Sequence, residues 1–93
     1  MFKFCDDEGH SLYVYALDTD GRSHCADQCA KEWPPVAAPQ DAHPIGDWTP
    51  IRRADGSLQW AYKSKPVYTY SGDGAAGQTN GAGLGNVWHV LIP

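Results

Sequence analysis

Three cysteines and the histidines beside them are the residues of this 93-residue chain best suited to chemistry. Cys25 and Cys29 lie four positions apart, so a helix through them presents both sulfurs on one face. His24 adjoins the pair, and Cys5 and His10 belong to an N-terminal hairpin that can lie next to that helix. Three is an odd number of thiols. In an oxidising compartment the expected state is one disulfide plus one free thiol, a staple of about 2 to 4 kcal/mol for a small domain. One helical turn separates Cα atoms by about 6 Å, within the range of a disulfide. So short a loop gains little chain entropy, and a bridge from Cys5 to the helix would stabilise more. The sharper alternative is a soft metal site of three thiolates, or of two thiolates with His24 or His10, holding Zn or Cu(I). The spacing is not the Cys-x-x-Cys of zinc ribbons or of dithiol oxidoreductases, which weighs against both a zinc ribbon and a redox centre.

The second candidate is a pair of phenols that occurs twice. Tyr13-Val14-Tyr15-Ala16-Leu17-Asp18 and Tyr68-Thr69-Tyr70-Ser71-Gly72-Asp73 both read Tyr-x-Tyr-x-x-Asp, and each is followed by a tryptophan, Trp33 and Trp88. The tyrosines, the aspartates, the tryptophans and the apolar pair Val36 and Leu91 all keep one offset of 55 residues. A register held without slip marks a duplicated supersecondary unit. Within a strand Tyr13 and Tyr15 share a face, as do Tyr68 and Tyr70. The favoured reading is structural: the rings bury their apolar bodies while Asp18 and Asp73 accept backbone N–H groups in Asx turns where the chain leaves the sheet. The functional reading is a groove in which Tyr13, Tyr15, Asp18, Tyr68, Tyr70 and Asp73 receive a sugar or aromatic ligand. Trp33 and Trp88, with Trp60, are expected in the core.

The elements that must carry these residues are mainly β. Phe2 and Phe4 alternate with Lys3 and Cys5, Asp6-Asp7-Glu8-Gly9 turns the chain, and residues 11–17 resume the alternation with Leu12 and Val14 opposite the two tyrosines. Ser23 is a candidate N-cap for one short helix near residues 24–32, with Trp33 driven out of α conformation by Pro34. Residues 34–45 are rich in Pro and Ala without a period and read as a linker. A three-stranded meander over 48–53, 58–62 and 67–70 follows, turning at Ala54-Asp55-Gly56-Ser57 and at Lys63-Ser64-Lys65. Residues 72–85 carry six glycines and read as a mobile loop before a last strand over 87–92, in which His89 is half-buried. The second repeat has no counterpart of the helix, because Gly81, Gly83 and Gly85 each cost about 1 kcal/mol in a helix interior. The expectation is one domain of two duplicated β-hairpin units, about 1–37 and about 48–93, forming a pseudo-symmetric whole.

Both tyrosine motifs, the segment from Ser23 through Cys25, Cys29 and Trp33 to Pro35, and the run from Gln59 to Tyr68 resemble the bacterial secreted-repeat family, predicted lipoproteins with a Tyr-x-aromatic-x-x-Asp motif. That resemblance covers nearly the whole chain. It implies a periplasmic or extracellular location and brings no established activity with it. Cys5 is an addition to the family pattern. Met1-Phe2-Lys3-Phe4 enters an alternating pattern without the apolar region of a signal peptide, so the expectation is a cytoplasmic protein or a mature domain freed of its leader, and the resemblance favours the second.

Composition closes off several classes. Seven Lys and Arg against eleven Asp and Glu give a formal charge of -4, with no basic stripe to neutralise phosphates, so nucleic acid is not an expected partner. No run approaches the roughly 20 apolar residues of a membrane span. There is no nucleophile elbow, and the glycines of residues 72–85 do not carry the lysine of a P-loop. The expected function is a non-catalytic envelope module that binds an unknown protein or small molecule. A metal-binding protein comes second, and an enzyme a distant third.

Overall fold

The computed structural model describes residues 4–92, so the expected alternation at Phe2 and Lys3 lies outside the described residues. Strands β1 (Tyr13–Tyr15), β2 (Ala37–Ala38), β3 (Trp48–Arg52), β4 (Leu58–Tyr62), β5 (Lys65–Tyr68) and β6 (Trp88–Val90) form a six-stranded antiparallel sheet, with helix α1 (Gln28–Glu32) and a 3-10 turn at Leu84–Asn86. Neighbours run β2-β4-β5-β1-β6, and β3 pairs with the remaining edge of the β4 ladder. The strands are rich in aromatic and β-branched residues, which suit a pleated, half-buried surface. Two tight turns set their register. Gly56 takes φ +87 in the Asp55-Gly56 turn, and Lys63 and Ser64 take φ 48 and 70, the left-handed pair that a two-residue hairpin loop needs. That second loop is shorter than expected, so Lys65 and Pro66 belong to β5 rather than to the turn.

The duplication is visible in the hydrogen bonds. β1 and β5 are adjacent and antiparallel with Tyr13 opposite Tyr68, so the two copies of the motif meet at their first tyrosines. Bonds on either side of this pair are related by the same 55-residue offset. Ala16 N–H donates to Val87 O at 2.7 Å and Ser71 N–H to Glu32 O at 2.9 Å; Leu91 N–H donates to Leu12 O at 2.7 Å and Val36 N–H to Val67 O at 3.0 Å. Each repeat therefore supplies an edge partner to the other, since β6 closes on β1 and residues 34–36 close on β5.

Alternation along β1 and β5 splits the core between the two faces of the sheet. One face gathers Tyr13, Cys25, Trp33, Tyr68 and Trp88, with Tyr15 and Tyr70 against them. On the other, Leu12, Val67 and Leu91 pack with Phe4, Val14, Val36, Trp48 and Tyr62.

The helix is shorter than the sequence suggests. Asp27 takes φ 54 at its entry, which breaks α conformation after Cys25, and Ser23, whose hydroxyl meets Tyr68 and Arg53, accepts from the Cys25 N–H at 3.3 Å in a local turn ahead of the helix. The Pro/Ala segment is not a bare linker: Ala37 and Ala38 pair with Gln59 and Leu58. Trp60 belongs to neither core cluster. It is half-buried beside Trp48 and the exposed Ile45, while its neighbour Gln59 is fully buried, because β4 turns the amide inward to bond Val67 O and Arg53. The last strand covers only Trp88–Val90, and His89 on it is exposed.

Candidate functional site

The two Tyr-x-Tyr-x-x-Asp copies close on each other. Tyr13 of the first donates its hydroxyl to Asp73 Oδ2 of the second at 2.6 Å, and Tyr68 of the second donates to Asp18 Oδ2 of the first at 2.7 Å. The other oxygen of each carboxylate holds a loop that follows its own strand: Asp18 Oδ1 accepts from His24 N–H at 2.6 Å and Asp73 Oδ1 from Asn80 N–H at 2.8 Å. The aspartates thus reach further along the chain than an Asx turn does. Both tyrosines and Asp73 are buried, whereas Asp18 is half-buried. Burial, with the facing carboxylate, pushes both phenols well above their ordinary range. Burial also raises the Asp18 carboxyl, against the opposing pull of the His24 N–H, the Tyr68 hydroxyl and the positive charges of His24 and Arg53. Each carboxylate is fixed between a phenol of the other repeat and a backbone N–H of its own, so the four side chains clasp the repeats together.

Above the clasp lies a ladder of four rings. Trp33 and Trp88 stack at 3.7 Å with an interplanar angle of 3°. Tyr70 stacks outside Trp33 at 4.2 Å and Tyr15 outside Trp88 at 4.3 Å, again related by the repeat offset. Tyr13 and Tyr68 meet the two indoles edge-on at 5.2 Å each. The glycine-rich segment is fitted to this ladder rather than left loose. A Cβ at Gly72 would collide with the Tyr70 ring and one at Gly81 with the Trp33 ring, so only glycine admits the rings there. Gly81 N–H also donates to the Tyr13 hydroxyl at 3.3 Å. These contacts explain the glycines that composition alone reads as mobility.

Of the six motif residues, Tyr13 and Tyr68 are closed off from solvent and Asp73 nearly so, which leaves Tyr15, Tyr70 and Asp18 to face a ligand. Tyr70 borders an open cleft of about 390 Å³ with Trp33, Trp88, Glu32, Ser71 and Leu84. Tyr15 and Asp18 border a second cleft of about 260 Å³ with Lys65 and His89.

Cys25 and Cys29 form a disulfide with Cα atoms 5.2 Å apart, and Cys5 is a free, exposed thiol. The bridge is the local one, not the longer tie to Cys5. Because Cys25 precedes the helix, the pair closes the helix entry instead of sharing a helical face. The oxidised pair offers no thiolate, so the Cys/His metal set is not assembled. His24 Nε2 is 3.1 Å from the Thr19 hydroxyl, and His10 Nδ1 is 3.1 Å from Asp6. Asp6, Glu8 and His10 do place one ligand atom each within 4.8 Å of one another, in the segment expected only to turn the chain. A turn accounts for it: Asp6 Oδ1 accepts the N–H groups of Glu8 and His10 at 2.9 Å each. Among the described residues no helix is long and apolar enough to cross a membrane.

A fold of two interlocked repeats joined through a Tyr–Asp exchange defines a structural class, and comparison with known families gives it a place. Residues 3–37 and 49–92 each match a family described as a secreted repeat of unknown function, and the chain belongs to that family. No curated protein and no solved structure matches it.

Proposed function

We propose that this chain is a non-catalytic binding module of the cell envelope or extracellular space, anchored by lipid in its precursor, whose ligand is a sugar or other flat molecule held at the end of the ring ladder. Membership of a secreted family supports the location. One observation supports the activity: the cleft at Tyr70 combines an aromatic floor with the polar rim of Glu32 and Ser71, at the line where the two repeats meet. Tyrosine and tryptophan with an apolar body and a polar edge suit such half-wet sites.

Tryptophan fluorescence provides the test, because Trp33 and Trp88 floor the cleft and report on it directly. Titration with a panel of mono- and disaccharides and simple aromatic probes should give a saturable change for at least one, and Leu84→Asp at the exposed rim should abolish it without lowering the melting temperature. A panel that leaves the emission unchanged, or binding indifferent to Leu84→Asp, contradicts the proposal.

A further inference from the structure

The chain has three arginines, Arg22, Arg52 and Arg53, and all of them line one concavity of about 510 Å³ together with His24 and Ser23. In a chain with an acidic excess, guanidinium groups ordinarily find carboxylates. Here they do not: among the described residues no arginine forms an ion pair. Arg53 spends its donors on neutral acceptors, the Ser23 hydroxyl at 3.0 Å, the buried Gln59 amide at 2.7 Å and Cys25 O at 2.6 Å. Arg52 touches Gly56 O at 2.9 Å, and the Arg22 side chain has no hydrogen-bond or ionic partner among the described residues. The two carboxylates whose charge couples to Arg53 are committed elsewhere. Asp18 accepts from Tyr68 and His24 N–H, and Asp55 accepts from Ser57.

Three like charges around one hollow repel one another, and Asp18 and Asp55, whose charges couple to Arg53, form no ion pair with any of them. We infer that the Arg22–Arg52–Arg53 concavity is a binding site for a small, multiply charged oxyanion, a phosphate, sulfate or polycarboxylate group. Arg53, pinned from three sides, fixes the floor, while Arg22 and Arg52 at the exposed rim supply the planar donor forks that match such anions. His24 adds a further donor. The site shares no residue with the aromatic cleft, so either can fail without the other.

Calorimetric titration of the whole chain at low ionic strength with inorganic phosphate, sulfate and citrate, against chloride at matched ionic strength, tests the assignment. One saturable site is expected for at least one of the three oxyanions and none for chloride. Preference for phosphate and sulfate would assign a tetrahedral anion, and preference for citrate a carboxylate. Arg22→Gln and Arg52→Gln should each weaken binding by about tenfold with the melting temperature of the free protein unchanged, as expected for loss of a charge-assisted hydrogen bond. Lys31→Gln, a cation outside the concavity, should leave it as it was. Equal heats with chloride, or affinity that survives the Arg22→Gln/Arg52→Gln double substitution, would overturn the proposal.

Discussion

Tyr13 hydrogen-bonds to Asp73, 60 residues further along the chain, and not to the aspartate of its own motif. Tyr68 returns the bond to Asp18. The motif is written within each repeat but used between them, so the first tyrosine of each copy depends on the other half for its hydroxyl's partners. Burial of a phenol and a carboxylate is tolerable only when each finds its partner, which makes the exchange a specificity device as well as a source of stability.

The two bonds are not equivalent in environment. Asp73 is 6% exposed, whereas Asp18 is half-buried. Tyr13→Phe should therefore cost about 1 to 3 kcal/mol by stranding a buried carboxylate oxygen. Tyr68→Phe should cost less. Urea melts of the two variants check the order, and a larger loss at Tyr68 would contradict it.

Gly81→Ala and Gly72→Ala should each destabilise by about 1 to 3 kcal/mol, since the new methyl must displace a stacked ring. A Cβ at Gly74 would meet nothing nearer than the Gln78 side chain at 3.9 Å, an ordinary contact, and its φ is open to any residue, so Gly74→Ala should stay within about 0.5 kcal/mol of the parent. Near-ultraviolet circular dichroism should register the first two and not the third.

Truncating Trp33 or Trp88 to alanine should cost about 3 to 5 kcal/mol, the range for a large aromatic in a packed core. For a domain this small that is a large part of the total. Trp60→Ala, at a half-buried position outside both clusters, should cost under about 2 kcal/mol. Equal losses at Trp60 and Trp33 would place Trp60 back in the core.

Because burial raises the Asp18 carboxyl in the folded protein, the native state holds that proton more tightly than the unfolded chain. This group's contribution to stability therefore declines as pH rises from the ordinary carboxylate value through the raised one, and is level above it. Asp6 has the opposite sign. Burial raises its carboxyl, but the His10 and Glu8 hydrogen bonds outweigh that and hold it low, so its contribution is lost as pH falls. The melting temperature of Asp18→Asn minus that of the parent should shift in the variant's favour as pH rises from acid to neutral. A difference independent of pH contradicts the assignment.

Much of the architecture was legible because it is local or periodic. Alternation around Tyr13 and Tyr15 set the strand faces, the constant offset of 55 residues exposed the duplication, and Asp55-Gly56 announced its turn. What escaped was long-range. Nothing in residues 72–85 says that Gly72 and Gly81 are spaced to receive Tyr70 and Trp33, because the rings come from elsewhere in the fold. The helix start was misplaced because Ser23 spends its capping chemistry on the Cys25 N–H, ahead of the helix, and on Tyr68, 45 residues away. Gln59 was invisible as a core residue for a similar reason: a buried amide needs partners, and its partners are Arg53 and Val67 O. The arginine concavity follows from a fold that brings Arg22 to Arg52 and Arg53, which the sequence sets about 30 positions apart.

A pair of double-mutant cycles tests the exchange between repeats most directly. Tyr13→Phe combined with Asp73→Ala should show a coupling energy of about 1 to 3 kcal/mol in urea melts, as partners in one buried hydrogen bond do. Tyr13→Phe combined with Asp18→Ala, the aspartate of the same motif copy, should be additive within about 0.5 kcal/mol. Coupling to Asp18 in place of Asp73 would contradict the account, because the motif would then close within each repeat and the two halves would not complete one another.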